Sequence, residues 1–487
     1  MAEQKNKILL TGASGYVGGR LLKKLEASEL PLRCLLRRPE LLKHQIAPST
    51  ELVKGDVFQP ESLQEAMKGI HTAYYLVHSL TSKGVFEEEE KIAAKNFAEA
   101  ARVSGIQKII YLGGLGSAED ELSEHLRSRQ EVGNILRSSG IPVIEFRASI
   151  ILGSGSISFE IVRALVERLP IMTTPRWVKT PTQPIGIEDV LEYLVEAYQK
   201  EFSQSEIFEI GGRDVVTYRD LMMEYAKQRK LKRWLIPVPV LTPRLSSLWL
   251  ALVTPAYKRV GEKLIEGLKN PTFVRNPKAL KVFSVKPMGI QEAITRALHN
   301  EDQDFIQTHW SDAFSSGKEA VSESAKKFGL RLLDARKIQV NTSPEKAFYP
   351  IQVIGGNTGW YTANLLWKMR GFVDLVLGGV GVRRGRRDPV DLQEGDAIDF
   401  WRVVAFEANK RLLLRAEMKV PGRAWLEFWV EGNQEKSTIY QVAFFDPLGL
   451  WGRLYWYSLL PFHNFIFGGM LNRIKQKAES QSALKTK

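Results

Sequence analysis

The stretch Lys7-Ile-Leu-Leu-Thr-Gly-Ala-Ser-Gly-Tyr-Val-Gly-Gly19 limits what the rest of this chain can become. An apolar run, Ile8 to Leu10, stops at glycines placed at Gly12, Gly15 and Gly18. A helical pattern follows, with Val17, Leu21, Leu22 and Leu25 on one face. That is strand, tight turn, helix. Such a turn needs glycine where the chain bends, where backbone approaches a pyrophosphate, and where helix packs on strand. The amides that open the helix would then face the phosphates. The spacing is a variant of the G-x-G-x-x-G dinucleotide fingerprint. An ordinary βα turn is the competing reading; the preceding buried-type strand and the helix that follows favour the nucleotide.

The wording Thr11-Gly-Ala-Ser-Gly-Tyr-Val-Gly18 resembles the opening of extended and atypical short-chain dehydrogenases/reductases, among them NmrA-like proteins and the respiratory complex I accessory subunit. The resemblance implies an NAD(P)-binding Rossmann domain over residues 1–300, built on a doubly wound parallel sheet. It makes Thr11, Gly12, Ser14, Gly15, Tyr16, Val17 and Gly18 the cofactor contacts of the turn.

At 487 residues the chain has room for two or three domains, each with its own core. The net charge of +13, from 68 basic and 55 acidic residues, suits an anionic cofactor or an acidic membrane surface. No nucleic-acid partner is expected. The single cysteine, Cys34, excludes an intrachain disulfide and a cysteine-based zinc site, and no metal site is expected. The N-terminus leads straight into the first strand, leaving no room for a signal peptide. A cytoplasmic protein is expected, with peripheral membrane contact open.

Leu32 to Leu36 reads as the second strand and runs directly into Arg37-Arg38-Pro39. In a Rossmann fold this strand end faces the adenosine ribose, where an acidic residue selects a free 2′-hydroxyl and arginine a 2′-phosphate. NADP is therefore expected, with NAD as the alternative; two solvated arginines are the plainer reading. Glu51 to Asp56 reads as the third strand, and the resemblance places Asp56, with Val57, beside the adenine. Ala73 to Val77 is the fourth, so that Val77 and His78 would border the cofactor. The run Glu87–Glu90 opens a helix, where the macrodipole favours negative charge. Lys108 to Leu112 is the fifth strand. Alternation of strand and helix argues for a parallel sheet.

Short-chain dehydrogenases place a serine or threonine after the fifth strand, then Tyr-x-x-x-Lys on the next helix. Here Gly113-Gly-Leu-Gly116 stands where serines are expected, and Ser117 is displaced. His125 takes the tyrosine place and Arg129 the lysine place. His125 is the candidate proton donor, with His78 behind it; a helix residue without chemistry is the alternative for His125. Arginine can hold a ribose or carboxylate and carries no proton. The resemblance also brings Arg147, Gly153 and Ser158 towards the nicotinamide, with backbone turns explaining the glycine equally well. Asp189 reads as a helix cap. The proline-broken apolar segment 234–256 reads as a lid over a hydrophobic pocket or an interfacial segment.

Residues 301–343 read as a linker and 344–475 as a second domain. Its expected elements are a strand at Tyr349–Ile354, helix over 360–376, strands at 396–406, 411–420, 424–430 and 438–445, and one long helix over 448–475. Turn chemistry at Pro421-Gly422 and Gly432-Asn433 makes the strands antiparallel hairpins. Residues 476–487 read as a disordered tail. The order resembles the helix-grip fold of START-like and polyketide-cyclase-like proteins, and more narrowly an uncharacterised domain fused behind atypical short-chain dehydrogenases. That resemblance implies a cavity for a hydrophobic ligand. Leu454–Asn472 has no Asp, Glu, Lys or Arg; it reads as a helix packed on the sheet, with interfacial attachment as the alternative. The fold class is thus an α/β Rossmann domain followed by an α+β antiparallel domain. The expected activity is hydride transfer between NADP(H) and a hydrophobic small molecule. The alternatives are a non-catalytic NADP(H)-binding sensor or assembly factor, and lipid carriage by the second domain.

Overall fold

A computed structural model describes residues 6–39, 42, 46–77, 86–116, 122–237, 267, 269–299, 332–376, 386, 388 and 390–483. The chain divides into two compact units, Met1–Val166 with Pro170–Phe305, and Glu167–Leu169 with Ile306–Lys487.

The first unit is built on β1 (Ile8–Thr11), β2 (Leu32–Leu36), β3 (Glu51–Lys54), β4 (Thr72–Tyr75), β5 (Lys108–Gly114), β6 (Val143–Ala148) and β7 (Glu206–Ile210). All pair in parallel, in the order β7-β6-β5-β4-β1-β2-β3. The connections carry α1 (Tyr16–Ala27), α2 (Pro60–Met67), α3 (Phe86–Val103), α4 (Glu124–Arg137), α5 (Ile157–Arg168) and α6 (Ile187–Gln199).

Side-chain alternation along the strands sorts these helices onto two faces. Leu10, Cys34, Tyr74, Ile110 and Ile144 point to one face, where Leu21 and Leu25 of α1 and Val190 and Leu194 of α6 cover them. Leu9, Leu35, Ala73, Ile109 and Val143 point to the other, under Leu63 of α2, Phe97 of α3 and Val132 and Leu136 of α4. A strand buried on both faces reads as an unbroken apolar run, which is why Ile8-Leu9-Leu10 gives no alternating signal. Cys34 lies in this core, and burial pushes its thiol up to about 12, so it is inert.

The sheet reverses its winding between β1 and β4. Doubly wound sheets bind ligands at this switch point, outside the carboxyl ends of the strands. The glycine turn follows β1 there, and Leu76-Val77 follows β4.

The second unit is a six-stranded antiparallel sheet. Its strands are β8 (Leu332–Val340), β9 (Ala397–Ile398), β10 (Trp401–Glu407), β11 (Arg411–Ala416), β12 (Gly422–Gly432) and β13 (Ser437–Pro447), in the order β8-β13-β12-β11-β10-β9. Helices α7 (Pro344–Gln352), α8 (Asn364–Val376), α9 (Gly449–His463) and α10 (Gly469–Ala483) complete it, with a π-helical turn at Asn464–Gly468 between the last two. Leu412, Leu426, Phe428 and Ile439 of the sheet enclose Phe348 and Ile351 of α7 and Met470 and Ile474 of α10.

Four expectations for this unit are corrected. The first strand is Leu332–Val340, inside the segment read as linker, and it pairs with the last strand along its whole length. Tyr349–Ile354 is mostly helix; Ser343 stands at its N-cap and Pro344 at its first position, a start signal that outweighs the strand-like composition. Residues 396–406 are not one strand but a tight hairpin, with Ile398 paired to Trp401 around Asp399 at φ 54°. The final helix is broken by the π turn after Pro461 and continues through Ala483, past where a disordered tail was expected. Among the described residues no helix is long and apolar enough to cross a membrane.

Candidate active site

The turn after β1 is closed by the Gly15 amide, which donates to the Gly12 carbonyl at 2.8 Å. Gly12 has φ +75°, and a Cβ on it would stand 2.5 Å from the Leu76 carbonyl oxygen beyond β4. A Cβ on Gly18 would stand 2.1 Å from the Gly12 oxygen. Both positions therefore demand glycine, one for backbone conformation and both for close approach. Gly15 is the N-cap of α1; it offers no side-chain cap, and no acidic residue stands in the first turn. The opening amides and the positive end of the helix dipole are thus left for an anion. The hydroxyl of Thr11 donates to the Tyr74 carbonyl at 2.8 Å and accepts from the Leu76 amide at 3.3 Å, locking β1 to β4 just below the turn. This turn, which tolerates no Cβ at Gly12 or Gly18 without backbone movement, fits a dinucleotide pyrophosphate.

Register brings the expected ribose contacts to the same edge. Thr11 pairs with Leu35, so Arg37 and Arg38 emerge from β2 beside the turn, and both are exposed. The Gly55 amide donates to the Leu36 carbonyl at 3.0 Å, which brings Asp56 next to them. One Asp56 oxygen accepts from the Phe58 amide at 3.1 Å, and Val57 is buried beneath. Val77 follows β4 at the switch point, while Ser14 and Tyr16 lie within the turn and at the start of α1. His78 and Ser117 lie outside the described residues.

His125 and Arg129 do not play matching parts. Ser123 caps α4, its hydroxyl accepting from the Leu126 amide, and its own amide donates to Asn270 Oδ1 at 3.1 Å. Gln130 Nε2 donates to the Gly116 carbonyl at 2.8 Å, holding the start of α4 against the end of β5. His125 is half-buried here, at the carboxyl edge of the sheet. Arg129, one turn further, donates to the Leu112 carbonyl and lies 5.0 Å over the Tyr111 ring. Its guanidinium is directed at β5.

Arg147 is likewise engaged: its Nε donates to Glu145 Oε1 at 2.7 Å, and Arg137 pairs with the other oxygen of that fully buried carboxylate. Gly153 comes down on α1, where a Cβ would touch the Tyr16 hydroxyl at 2.2 Å. Arg20 reinforces this contact, donating from Nη2 to the Ser154 carbonyl at 2.8 Å while stacking 4.2 Å from the Tyr16 ring. The sequence named Tyr16 and Gly153 separately; nothing in it joined them. Ser158 opens α5. Asp189 sits in the first turn of α6 without being its N-cap, which is Gly186; it accepts from the Met288 amide at 3.0 Å, and burial raises its carboxyl to about 6. Of segment 234–256, only Trp234–Pro237 is described, as a strand parallel to Ile171–Thr174; the rest of the expected lid lies outside the described residues.

Sequence reading missed a hydroxyl cluster just past β6. Ser149 Oγ meets Thr182 Oγ1 at 2.8 Å and Thr272 Oγ1 at 2.7 Å, and the last two are 3.0 Å apart. Tyr218 bonds to the same threonines, and burial pushes its phenol up, so it stays neutral. These residues are far apart in sequence and follow no motif. Among the described residues, no group of His, Cys, Asp and Glu could hold a metal ion.

Residues 12–147 match the family described as NAD(P)H-binding, and residues 328–470 match a family described as a protein of unknown function, DUF2867. The chain is 23% identical to sanguinarine reductase from Eschscholzia californica over 261 residues, 44% of this chain and 92% of that protein. It is 27% identical to ceramide reductase from Caulobacter vibrioides over 174 residues, 35% of this chain and 54% of that one. The triphenylmethane reductase of Citrobacter sp., solved with NADP(H), shares the fold with a TM-score of 0.50 and 17% identity over 60% of this chain and 99% of its own. The chain therefore carries an N-terminal Rossmann domain that matches the NAD(P)H-binding family, followed by a domain that matches DUF2867.

Proposed function

We propose that the protein is an NADPH-dependent reductase of a hydrophobic, conjugated small molecule. The observation that carries this reading is the uncapped glycine cradle at the sheet's switch point, with Arg37 and Arg38 beside it. Two guanidiniums at that strand end favour a 2′-phosphate. The reductase names of the relatives support the reaction class, and sanguinarine and ceramide, in those names, support a hydrophobic substrate.

When bound, the cofactor supplies hydride. The chain's own residues orient it, through the α1 amides and the arginines, and His125 is the proposed proton donor. Arg129 is turned onto β5, so this site lacks the usual Lys-assisted donor. That favours an acceptor whose electron pair spreads through a conjugated system and whose protonation demands little of the protein. A second reading, cofactor binding without turnover, draws on the same missing pair. The C-terminal sheet wrapped on α10 supports a helix-grip reading of the second domain.

His125→Ala separates these roles. The expected result is a rate for a quinone acceptor lowered by about 100-fold or more, with NADPH affinity and the reduction of an iminium ion, which takes up no proton, unchanged. An unchanged rate removes His125 from the chemistry. NADPH binding without reduction of any acceptor in a panel of quinones, enones and iminium ions favours the second reading.

A further inference from the structure

The second unit carries two helices whose apolar sides face solvent. On α8, Leu365, Leu366, Met369, Phe372, Val373 and Val376 are all exposed, Phe372 by 67%. Their spacing is one continuous helical stripe. On α9, Leu450, Trp451, Leu454 and Tyr457 are exposed, Trp451 by 77%. Isolated exposed apolar residues need no explanation, but a contiguous stripe does.

Both helices abut the same turn between β11 and β12. Arg370 of α8 donates to the Lys419 carbonyl at 2.7 Å, and Asp374 accepts from the Lys419 amide at 2.6 Å. Ahead of α9, the Leu448 amide donates to the Pro421 carbonyl at 2.9 Å, and Gly452 packs on that oxygen. Residues 419–421 thus hold both helices by hydrogen bonds and packing.

Carboxylates near these helices are buried or paired: Glu167 accepts from the Gly449 amide and is buried, and Glu417 of the turn pairs with Arg402. The two helices hold a single carboxylate, Asp374, and it is fully buried. Arg370 and Arg453 are half-buried, and Lys419 is exposed at the turn that holds both helices. No Asp or Glu occurs in the sequence between Asp446 and Glu479. Apolar stripes with Trp and Tyr, rimmed by cations and free of exposed carboxylate, match the interface of an anionic bilayer.

We infer that this face of the second unit docks on anionic membrane surfaces, α8 and α9 lying in the interface and neither crossing it. The occupant is lipid headgroup and upper acyl chain. A protein partner would gain nothing from this cationic rim unless it were itself acidic.

The test is co-sedimentation of the full chain with vesicles of phosphatidylcholine alone and of phosphatidylcholine with 30 mol% phosphatidylglycerol, a fraction of about the anionic content of a cytoplasmic leaflet. The wild type should sediment with the anionic vesicles, weakly with the neutral ones, and less as salt is raised. The variant carrying Phe372→Glu and Trp451→Glu alters two exposed side chains and should keep its circular dichroism and NADPH binding. Its vesicle-bound fraction should fall at least about tenfold, as expected for two charges placed in an interface. Equal sedimentation of wild type and variant overturns the inference. So does an absence of wild-type binding, whether or not sedimentation velocity then shows a dimer that the variant dissociates.

Discussion

Gly18→Ala is expected to abolish cofactor binding at concentrations that saturate the wild type. The added Cβ would lie 2.1 Å from the Gly12 carbonyl oxygen and 2.7 Å from its carbon. Both are backbone atoms, so relief requires moving either the turn or α1. Either movement redirects the amides meant for the pyrophosphate. Losing two charge-assisted amide–phosphate bonds at about 1.5 kcal/mol each corresponds to about 100-fold in affinity. Gly69→Ala is the control. Gly69 has positive φ, +69°, and nothing lies within 4 Å of an added Cβ. It should cost about 1 kcal/mol of stability through backbone strain and leave NADPH affinity unchanged. Isothermal titration of the two variants distinguishes them; equal affinities would mean that the turn does not hold the phosphates.

Arg411→Met is expected to produce a large loss of stability in the second unit. Arg411 Nε donates to Glu427 Oε1 at 2.8 Å across adjacent strands, and Glu427 is 1% exposed. Burial raises the Glu427 carboxyl, and Arg411 opposes that rise. Removing the guanidinium leaves a carboxylate in the sheet without its main counter-charge. It must then take up a proton or remain desolvated. Breaking one side of such a pair costs about 3–5 kcal/mol. The double change Arg411→Met with Glu427→Leu should recover most of this, because an apolar pair of similar volume is tolerated there. Urea unfolding followed by tryptophan fluorescence measures both. A single variant within about 1 kcal/mol of wild type would show that the pair is not electrostatically coupled.

How much of this was legible beforehand follows from which interactions are local. The strand–turn–helix at residues 7–25 was readable because each requirement acts within one turn of chain. That the sheet is parallel followed from alternation of elements. What sequence reading missed depends on distant partners. Leu332–Val340 has a charged, half-buried pattern and becomes a strand by pairing with Ser437–Pro447. Asp189 looked like a cap because it opens a helix, yet its partner is the Met288 amide, 99 positions away. Arg129 sits at the expected lysine position, but nothing in the sequence says that its guanidinium turns to Leu112. In one case the signal was present and outweighed: Ser343-Pro344 announces a helix that the apolar run Tyr349–Ile354 obscured.

The most direct test of the account is titration of the full chain with NADPH and with NADH, followed by nicotinamide fluorescence. NADPH is predicted to bind with a Kd of roughly micromolar order. NADH should bind at least about tenfold more weakly, the 2′-phosphate contributing one or more charge-assisted bonds. Arg37→Glu should erase that difference. Failure of both dinucleotides to bind at about millimolar concentration would contradict the account at its centre.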